Sequence, residues 1–153
     1  MLEIFKWDEI WQPQTILGLN LGIVYGFMAL LFMQAPVFDK LPNKMERVIG
    51  EMNLNTWDVI FLSFCAGFGE ELLFRTGIQP YLGVLITSVI FVAIHGYLNP
   101  WNWRKSLYGF IVLPFILMIG AGFYEFGQWF SISAHFSYDL VLFLALIKQP
   151  NER

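Results

Sequence analysis

The sequence predicts an all-α membrane protein, a bundle of about five transmembrane helices with short interfacial helices, built as one domain over residues 1–153. Hydrophobic residues make up 57% of the chain and charged residues 14%, which is more apolar surface than a soluble domain of this size can bury. The mean hydropathy is +0.57. Several uncharged runs also reach about 18 residues, the length that predicts a transmembrane helix.

Composition argues against several other classes of protein. The net charge of −3 and the lack of a basic patch give no reason to expect nucleic acid as a partner. The single cysteine, Cys65, excludes a disulfide within the chain and is expected to be a small core residue. The first apolar run is too long for the apolar region of a secretory signal peptide, so no cleavable signal peptide is expected.

The first expected transmembrane helix is Thr15–Ala35. Residues 1–14, in front of it, mix aromatic and charged side chains, which predicts an interfacial segment. Residues 36–55, behind it, are the most polar part of the chain. Apolar side chains recur at helical spacing over 45–52, and this pattern predicts a short amphipathic helix on the membrane surface.

Four further spans are expected in the rest of the chain. The second begins near Trp57, the third ends near Tyr97, the fourth covers about 107–124 and the fifth about 128–147. Most basic residues then fall on one side of the membrane, which the positive-inside rule assigns to the cytoplasm. We therefore expect a plasma-membrane protein with its C-terminus in the cytoplasm and its N-terminus outside. The basic residues on the cytoplasmic side are Lys40, Lys44, Arg47, Arg104, Lys105, Lys148 and Arg153.

Charged residues inside an apolar segment mark the candidate site. Glu70, Glu71 and Arg75 lie within the second expected span, where charges are costly and are therefore usually paired or functional. Glu71 and Arg75 are four residues apart and are expected to form an ion pair on one helix face. Such a pair, taken alone, is most often structural. Glu70 points about a quarter turn away and has no local partner.

His95, His135 and Asp139 also lie in apolar runs, and we expect them to face Glu70. In two antiparallel helices, residues at equal depth are equally far from the turn. A shared site for Glu70 and His95 therefore places the turn near Gly83, about 18 Å from each of them at 1.5 Å per residue. His135 and Asp139 are four residues apart and point inward together. The predicted site lies in the cytoplasmic half of the membrane.

Two chemistries fit this cluster. A carboxylate beside imidazoles in a site of low dielectric constant is a suitable general base for water. Glu70 and His95 would activate the water, while His135 donates to an oxyanion and Asp139 orients His135. Alternatively, Glu70, His95, His135 and Asp139 form a ligand set for zinc or another divalent cation. A cation is slightly favoured, because it would balance the two buried carboxylates.

Three short motifs lie in order on separate expected helices. They are Glu70-Glu71-x-x-x-Arg75, Phe91-x-x-x-His95 and His135-x-x-x-Asp139. With these motifs the sequence resembles the CAAX-protease and bacteriocin-processing (CPBP) family of intramembrane proteases. The resemblance covers about residues 57–144, which would form the protease core.

The resemblance implies a multi-helix membrane endopeptidase, a hydrolase that cleaves a membrane-associated peptide or protein. Substrates in the family include prenylated C-terminal tails, bacteriocin leaders and membrane peptides. Glu70 would be the base that activates water, aided by His95. His135 and Asp139 would stabilise the oxyanion or help to bind metal. Glu71 would belong to the same catalytic set.

The resemblance also implies that Arg75 supports the site. Two features depart from the family pattern. Residue 139 is Asp, whereas the prenyl-protein proteases of eukaryotes have Asn, and an ionised Asp cannot donate to an oxyanion. The chain also has fewer spans than larger family members, so its cavity would be shallower or completed by a second copy. The expected partners are therefore a peptide or protein substrate, the lipid bilayer and a second copy of the chain.

Two other classes of function stay open. Glu, His and Asp residues inside a membrane also build proton relays, so a small transporter or proton-conducting protein is the first alternative. The second is a catalytically inactive member of the family that serves as a scaffold or immunity protein.

Overall fold

The computed structural model describes residues 12–33, 52–99, 101 and 103–147. Within these ranges every secondary-structure element is a helix, so the predicted all-α class is confirmed. The interfacial segment before residue 12, most of the predicted amphipathic helix at 45–52, and the basic side chains used for the orientation lie outside the described residues. The elements are α1 (Pro13–Met33), α2 (Thr56–Glu71), a π-helical segment (Leu72–Ile78), α3 (Gln79–Ile94), α4 (Trp103–Phe126) and α5 (Gln128–Ile147).

The start of α2 is fixed by a capping box. The Asn55 side chain accepts hydrogen bonds from the backbone N–H groups of Trp57 and Asp58. In return, the Asp58 carboxylate accepts one from the Asn55 backbone N–H at 2.9 Å. These bonds satisfy donors that a helix leaves unpaired at its first turn, and the acidic Asp58 also suits the positive end of the helix dipole.

The chain folds back on itself at Gly83, within an apolar helical stretch of 39 residues, Thr56–Ile94. Gly83 has a φ of +73°, a backbone conformation that favours glycine. The rings of Phe74 and Phe91 lie 4.8 Å apart, whereas a straight helix would separate these residues by about 25 Å. The predicted turn near Gly83 is therefore confirmed.

The described residues contain four helical stretches that are long and apolar enough to cross a membrane. The second and third expected spans together form one of these stretches, which folds back at Gly83. The returning arm, residues 84–94, is about 16 Å long, only about half of a 30 Å hydrocarbon core. The turn at Gly83 thus leaves a half-length arm, and His95 follows its end.

Small residues bring α1 and α5 into close contact. Gly18, Gly22 and Gly26 line one face of α1, and a Cβ on Gly18 or Gly22 would lie too close to the α5 backbone. Two α5 serines donate hydrogen bonds across this interface, Ser133 to the carbonyl of residue 15 at 3.0 Å and Ser137 to the carbonyl of residue 19 at 3.0 Å. The two helices run parallel, since the contacts advance together along both. This small-residue packing is typical of membrane helices.

Helix α5 is the centre of the bundle, because it packs against α1, α2 and α4. It runs antiparallel to α2, and Thr76 donates a hydrogen bond to the side chain of Gln128 at 3.0 Å. Gly127, with a φ of +84°, joins α4 to α5 in a tight turn. Helix α4 also runs antiparallel to the returning arm, and Gly109 lies against the Tyr97 carbonyl.

Polar side chains lie inside the bundle and large apolar side chains cover its surface. Phe27 and Leu31 of α1 and Phe61 of α2 are exposed, whereas the charged side chains of Glu71 and Arg75 are fully buried. This distribution suits a lipid environment, in which apolar side chains gain nothing from burial and charges need partners. Cys65 was expected to be a small core residue, but it is exposed.

Candidate active site

The predicted Glu71–Arg75 ion pair is confirmed. Arg75 Nε lies 2.8 Å from Glu71 Oε2, and neither side chain is exposed. A second guanidinium nitrogen, Nη2, lies 3.5 Å from Glu71 Oε1. The pairing removes the cost of an isolated buried charge.

Glu70, the preceding residue, faces the two histidines. Its Oε2 atom lies 3.5 Å from His95 Nε2 and 3.8 Å from His135 Nε2. The same oxygen is buried and has no hydrogen-bond partner among the described residues. The three side chains therefore converge as the sequence predicted, but at distances longer than those of direct hydrogen bonds.

His95 is held by the residue one helical turn before it. Its Nδ1 atom lies 2.7 Å from the Phe91 carbonyl oxygen, and since a carbonyl can only accept, Nδ1 carries the proton. The His95 ring also stacks on the Phe91 ring at 4.4 Å. These two contacts explain the Phe-x-x-x-His spacing, and they direct Nε2 toward Glu70. The Glu70 carboxylate, 3.5 Å away, raises the pKa of His95 above its usual value.

His135 is oriented by a different carboxylate from the one expected. Its Nδ1 atom lies 2.9 Å from Glu71 Oε1, so Glu71 accepts a hydrogen bond from the ring and also from Arg75. Asp139, the expected orienting residue, lies on the other side of the ring, with Oδ2 3.6 Å from Nε2. Glu71 fixes the ring, and Nε2 is left facing Glu70 and Asp139.

The hydrogen-bonded chain extends beyond Arg75 to a residue that the sequence reasoning missed. Gln79 accepts a hydrogen bond from Arg75 Nη1 at 3.1 Å and donates one to the Gly120 carbonyl at 2.8 Å. Gln79 follows Arg75 by the same four residues that separate Arg75 from Glu71. The spacing rule that predicted the ion pair, applied one step further, would have found it.

A cavity of about 210 Å³ opens beside Glu70, His95, His135 and Asp139. Apolar and aromatic side chains form the rest of its wall. The sequence reasoning did not single out the three tyrosines among them. Burial and the nearby carboxylates of Asp139 and Glu70 raise the pKa of Tyr97, in the loop after the returning arm, to about 12, so its hydroxyl keeps its proton at neutral pH. The other wall residues are Leu30, Met33, Ala66, Phe91, Tyr108, Val112, Ile116, Tyr138, Leu142, Phe143 and Leu146.

The four expected metal ligands lie close together, at spacings slightly wider than those of a tetrahedral zinc site. Ligand atoms of a tetrahedral zinc ion lie about 3.3 Å apart, given bonds of about 2.0 Å. The Glu70–His95, Glu70–His135 and His135–Asp139 distances are 3.5, 3.8 and 3.6 Å. No three His, Cys, Asp or Glu side chains in the described part of the chain form a group that could hold a metal ion. The chemistry below is therefore argued from the side chains alone.

Comparison with known proteins identifies the family. The pattern of the Rce1-like family, described as type II CAAX prenyl endopeptidases, matches residues 52–141, more than half of the chain. The match includes all three motifs and most of the helices that form the cavity. This chain belongs to the Rce1-like family.

One curated relative is YpbD of Bacillus subtilis (strain 168), which is described as uncharacterized. The two sequences are 34% identical over 85 residues, which cover 54% of this chain and 42% of YpbD. The similar region thus spans less than half of that relative. No solved structure matches the chain.

Proposed function

We propose that this protein is an intramembrane endopeptidase in which Glu70 and His95 activate the attacking water. The observation that carries the proposal is the position of Glu70 Oε2, 3.5 and 3.8 Å from two imidazole nitrogens. The Glu70 side chain also lines the cavity and is 32% exposed, so a water bonded to its carboxylate at about 2.8 Å would lie beside both rings. Family membership supports the same class of reaction.

The reaction can be written with these side chains alone. Glu70 takes a proton from the water, and the resulting hydroxide adds to the carbonyl carbon of the scissile peptide bond. Glu70 then returns the proton to the leaving nitrogen as the C–N bond breaks, so the carboxylate is regenerated. His95, whose ring is fixed by Phe91, holds the water against the carboxylate.

His135 is the proposed donor to the oxyanion. Its Nδ1–H group is bonded to Glu71, so Nε2 must also carry a proton in order to donate. The carboxylates of Glu71 and Asp139 on either side of the ring stabilise this doubly protonated cation. Asp139, when ionised, cannot donate to the oxyanion itself, and its proposed role is to support the His135 cation.

The proposed substrate is a membrane-associated peptide or protein with an apolar segment at the cleavage site. Most of the cavity wall consists of apolar and aromatic side chains, which suit an apolar side chain or a lipid-modified residue. In the proposed orientation the site opens in the cytoplasmic half of the plasma membrane. A second copy of the chain is a proposed partner that would enlarge this shallow cavity.

A peptide panel in detergent tests the proposal. We expect the wild type to cleave peptides with apolar residues around the scissile bond and Glu70→Gln to be inactive, although both are folded. Glu125→Gln is the matched control, because Glu125 is an exposed glutamate at the end of α4, away from the cavity. Equal cleavage by wild type and Glu70→Gln would refute the proposal.

The same proteins in liposomes test the alternative. If no peptide is cleaved but the wild type conducts protons and Glu70→Gln does not, the cluster is a proton relay. If neither activity is present in the wild type, the protein is an inactive member of the family.

A further inference from the structure

A fully buried row of polar groups lies behind the proposed site, and we refer to Glu71, Arg75, Gln79 and the Gly120 carbonyl as the polar ladder. The three side chains of the ladder are not exposed at all. None of them lines the cavity. The ladder connects the end of α2, the π-helical segment, α3 and α4, and its first member holds His135 of α5.

We infer that Gln79 is a positioning residue for His135, which acts through Arg75 and Glu71 and so affects the chemical step rather than substrate binding. The inference rests on the proposed function for its kinetic consequence. Its geometric part stands on the hydrogen bonds of the ladder. Nothing in the ladder reaches the proposed substrate cavity except through the His135 ring.

Gln79 can do this because an amide has both a donor and an acceptor. Its Nε2 group donates to the Gly120 carbonyl at 2.8 Å, a backbone atom that the helix α4 holds in place. That bond sets the orientation of the amide, so Oε1 faces Arg75 Nη1 at 3.1 Å. Gln79 thereby fixes the one end of the guanidinium that Glu71 does not hold.

Arg75 passes this restraint to Glu71. Its Nε and Nη2 atoms contact the two oxygens of the carboxylate, at 2.8 and 3.5 Å. Glu71 Oε1, the oxygen at 3.5 Å, is also the one that accepts from His135 Nδ1 at 2.9 Å. A rotation of the guanidinium would therefore move the oxygen that sets the His135 ring. Arg75 alone would be enough to balance the charge of Glu71. Gln79 additionally fixes the orientation of the Arg75 guanidinium.

The local backbone is adapted to this row. The π-helical turn contains Arg75 and closes with a hydrogen bond from the Gln79 N–H to the Phe74 carbonyl, and such turns occur often at functional sites. Gly120 lets α4 approach, since a Cβ there would lie 2.9 Å from Gln79 Oε1 and 3.0 Å from Arg75 Nη1. A side chain at residue 120 would press on both members of the ladder.

Histidine NMR tests the geometric part without any substrate. The chain has two histidines, so protein labelled with ¹⁵N-histidine gives two sets of imidazole signals, which a His95→Gln variant assigns. We expect Gln79→Met, similar in volume but without an amide, to shift the His135 Nδ1–H signal and to speed its exchange with water. The His95 signal should not change. Folded Gln79→Met with an unchanged His135 signal would overturn the inference.

Kinetics test the functional part. We expect Gln79→Met to lower kcat about ten- to hundredfold, as a small misplacement of a catalytic group can do, while KM stays within about twofold. Gly120→Ala should act in the same direction. Val59→Ala is the control for lost stability, because Val59 is fully buried on α2 and outside the ladder. An equal loss of kcat in Val59→Ala at a similar melting temperature would reduce Gln79 to a structural residue and overturn the inference.

The two proposals fail in different ways. If the wild type cleaves no peptide, the proposed function fails, and the NMR comparison still decides whether Gln79 positions His135. If the wild type is active and neither the His135 signal nor kcat responds to Gln79→Met, the inference fails and the proposed function stands.

Discussion

Glu70 and Glu71 are neighbours in sequence, but they occupy opposite sides of the His135 ring and two different environments. On the ladder side, Glu71 is fully buried and accepts hydrogen bonds from Arg75 and His135. On the cavity side, the Glu70 side chain is 32% exposed, and its Oε2 atom has no hydrogen-bond partner among the described residues.

The difference separates support from reactivity. A carboxylate whose oxygens are already bonded is a poor base, because protonation would break those bonds. A carboxylate that lines a cavity and is partly exposed can bind water there and is suited to take a proton. Two identical side chains, one residue apart, thus receive different proposed roles from the helices that surround them.

The largest expected effect comes from changing both glutamates in the same way. Glu70→Gln should lower kcat by about 10²- to 10⁴-fold, the usual contribution of a general base, with an unchanged melting temperature. Glu71→Gln should lower the melting temperature as well as kcat, because it weakens bonds to Arg75 and His135. Thermal melts and peptide cleavage on both variants check this. If Glu71→Gln were the more stable and Glu70→Gln the less stable variant, the two roles would be reversed.

The next effect concerns stability on the ladder side. Arg75→Ala leaves the Glu71 carboxylate buried without its cation, which should cost about 3–5 kcal/mol of unfolding free energy. The measurement is the melting temperature in detergent. In a Glu71→Gln background the same change should cost much less, because the uncompensated charge is gone. A wild-type melting temperature for Arg75→Ala alone would show that the ion pair does not stabilise the fold.

How much of this was predictable depends on whether an interaction is local in sequence. The four-residue spacing predicted the Glu71–Arg75 pair, and the equal-depth argument predicted the turn near Gly83. Helix α5 also begins and ends at Gln128–Ile147, where the sequence placed the fifth span. Each of these follows from helix geometry and one chain segment.

Interactions between helices were predicted less well. The bond between Glu71 and His135 joins residues 64 positions apart, and it depends on how α5 is rotated against α2, which no spacing rule specifies. The segment after the turn was expected as a full span, although the predicted turn near Gly83 already made it short. Residues 76–94 contain no charge and are long enough to span, but the turn at Gly83 divides this run. Cys65 was misplaced because a small apolar residue fits either a core or a lipid-facing surface.

A smaller effect on activity is expected from the absence of metal and from Asp139→Asn. If Glu70 and His95 activate the water without a metal, the protein should be fully active with less than one metal ion per chain when it is purified without chelator. Asp139→Asn, which introduces the amide found in the eukaryotic proteases, should then keep activity within about tenfold, because Glu71 still orients His135. One tightly bound divalent ion per chain, lost in Asp139→Asn, would instead support the zinc site that the sequence favoured.

The smallest effect is expected from single cysteine substitutions, which should leave activity unchanged. Labelling of these cysteines tests the orientation of the site in the membrane. In a Cys65→Ser background, single cysteines replace Lys44, Lys105 and Tyr81. Tyr81 is chosen because its side chain is 85% exposed and lies next to the turn at Gly83. The positive-inside rule predicts that a membrane-impermeant thiol reagent, applied from outside, labels the cysteine at residue 81 and not the other two. Labelling after permeabilisation is the control that all three positions react. His95 lies about 18 Å from that turn along the returning arm. This labelling pattern would therefore place the cavity in the cytoplasmic half of the membrane. The opposite pattern would place both the site and its substrates on the outer side.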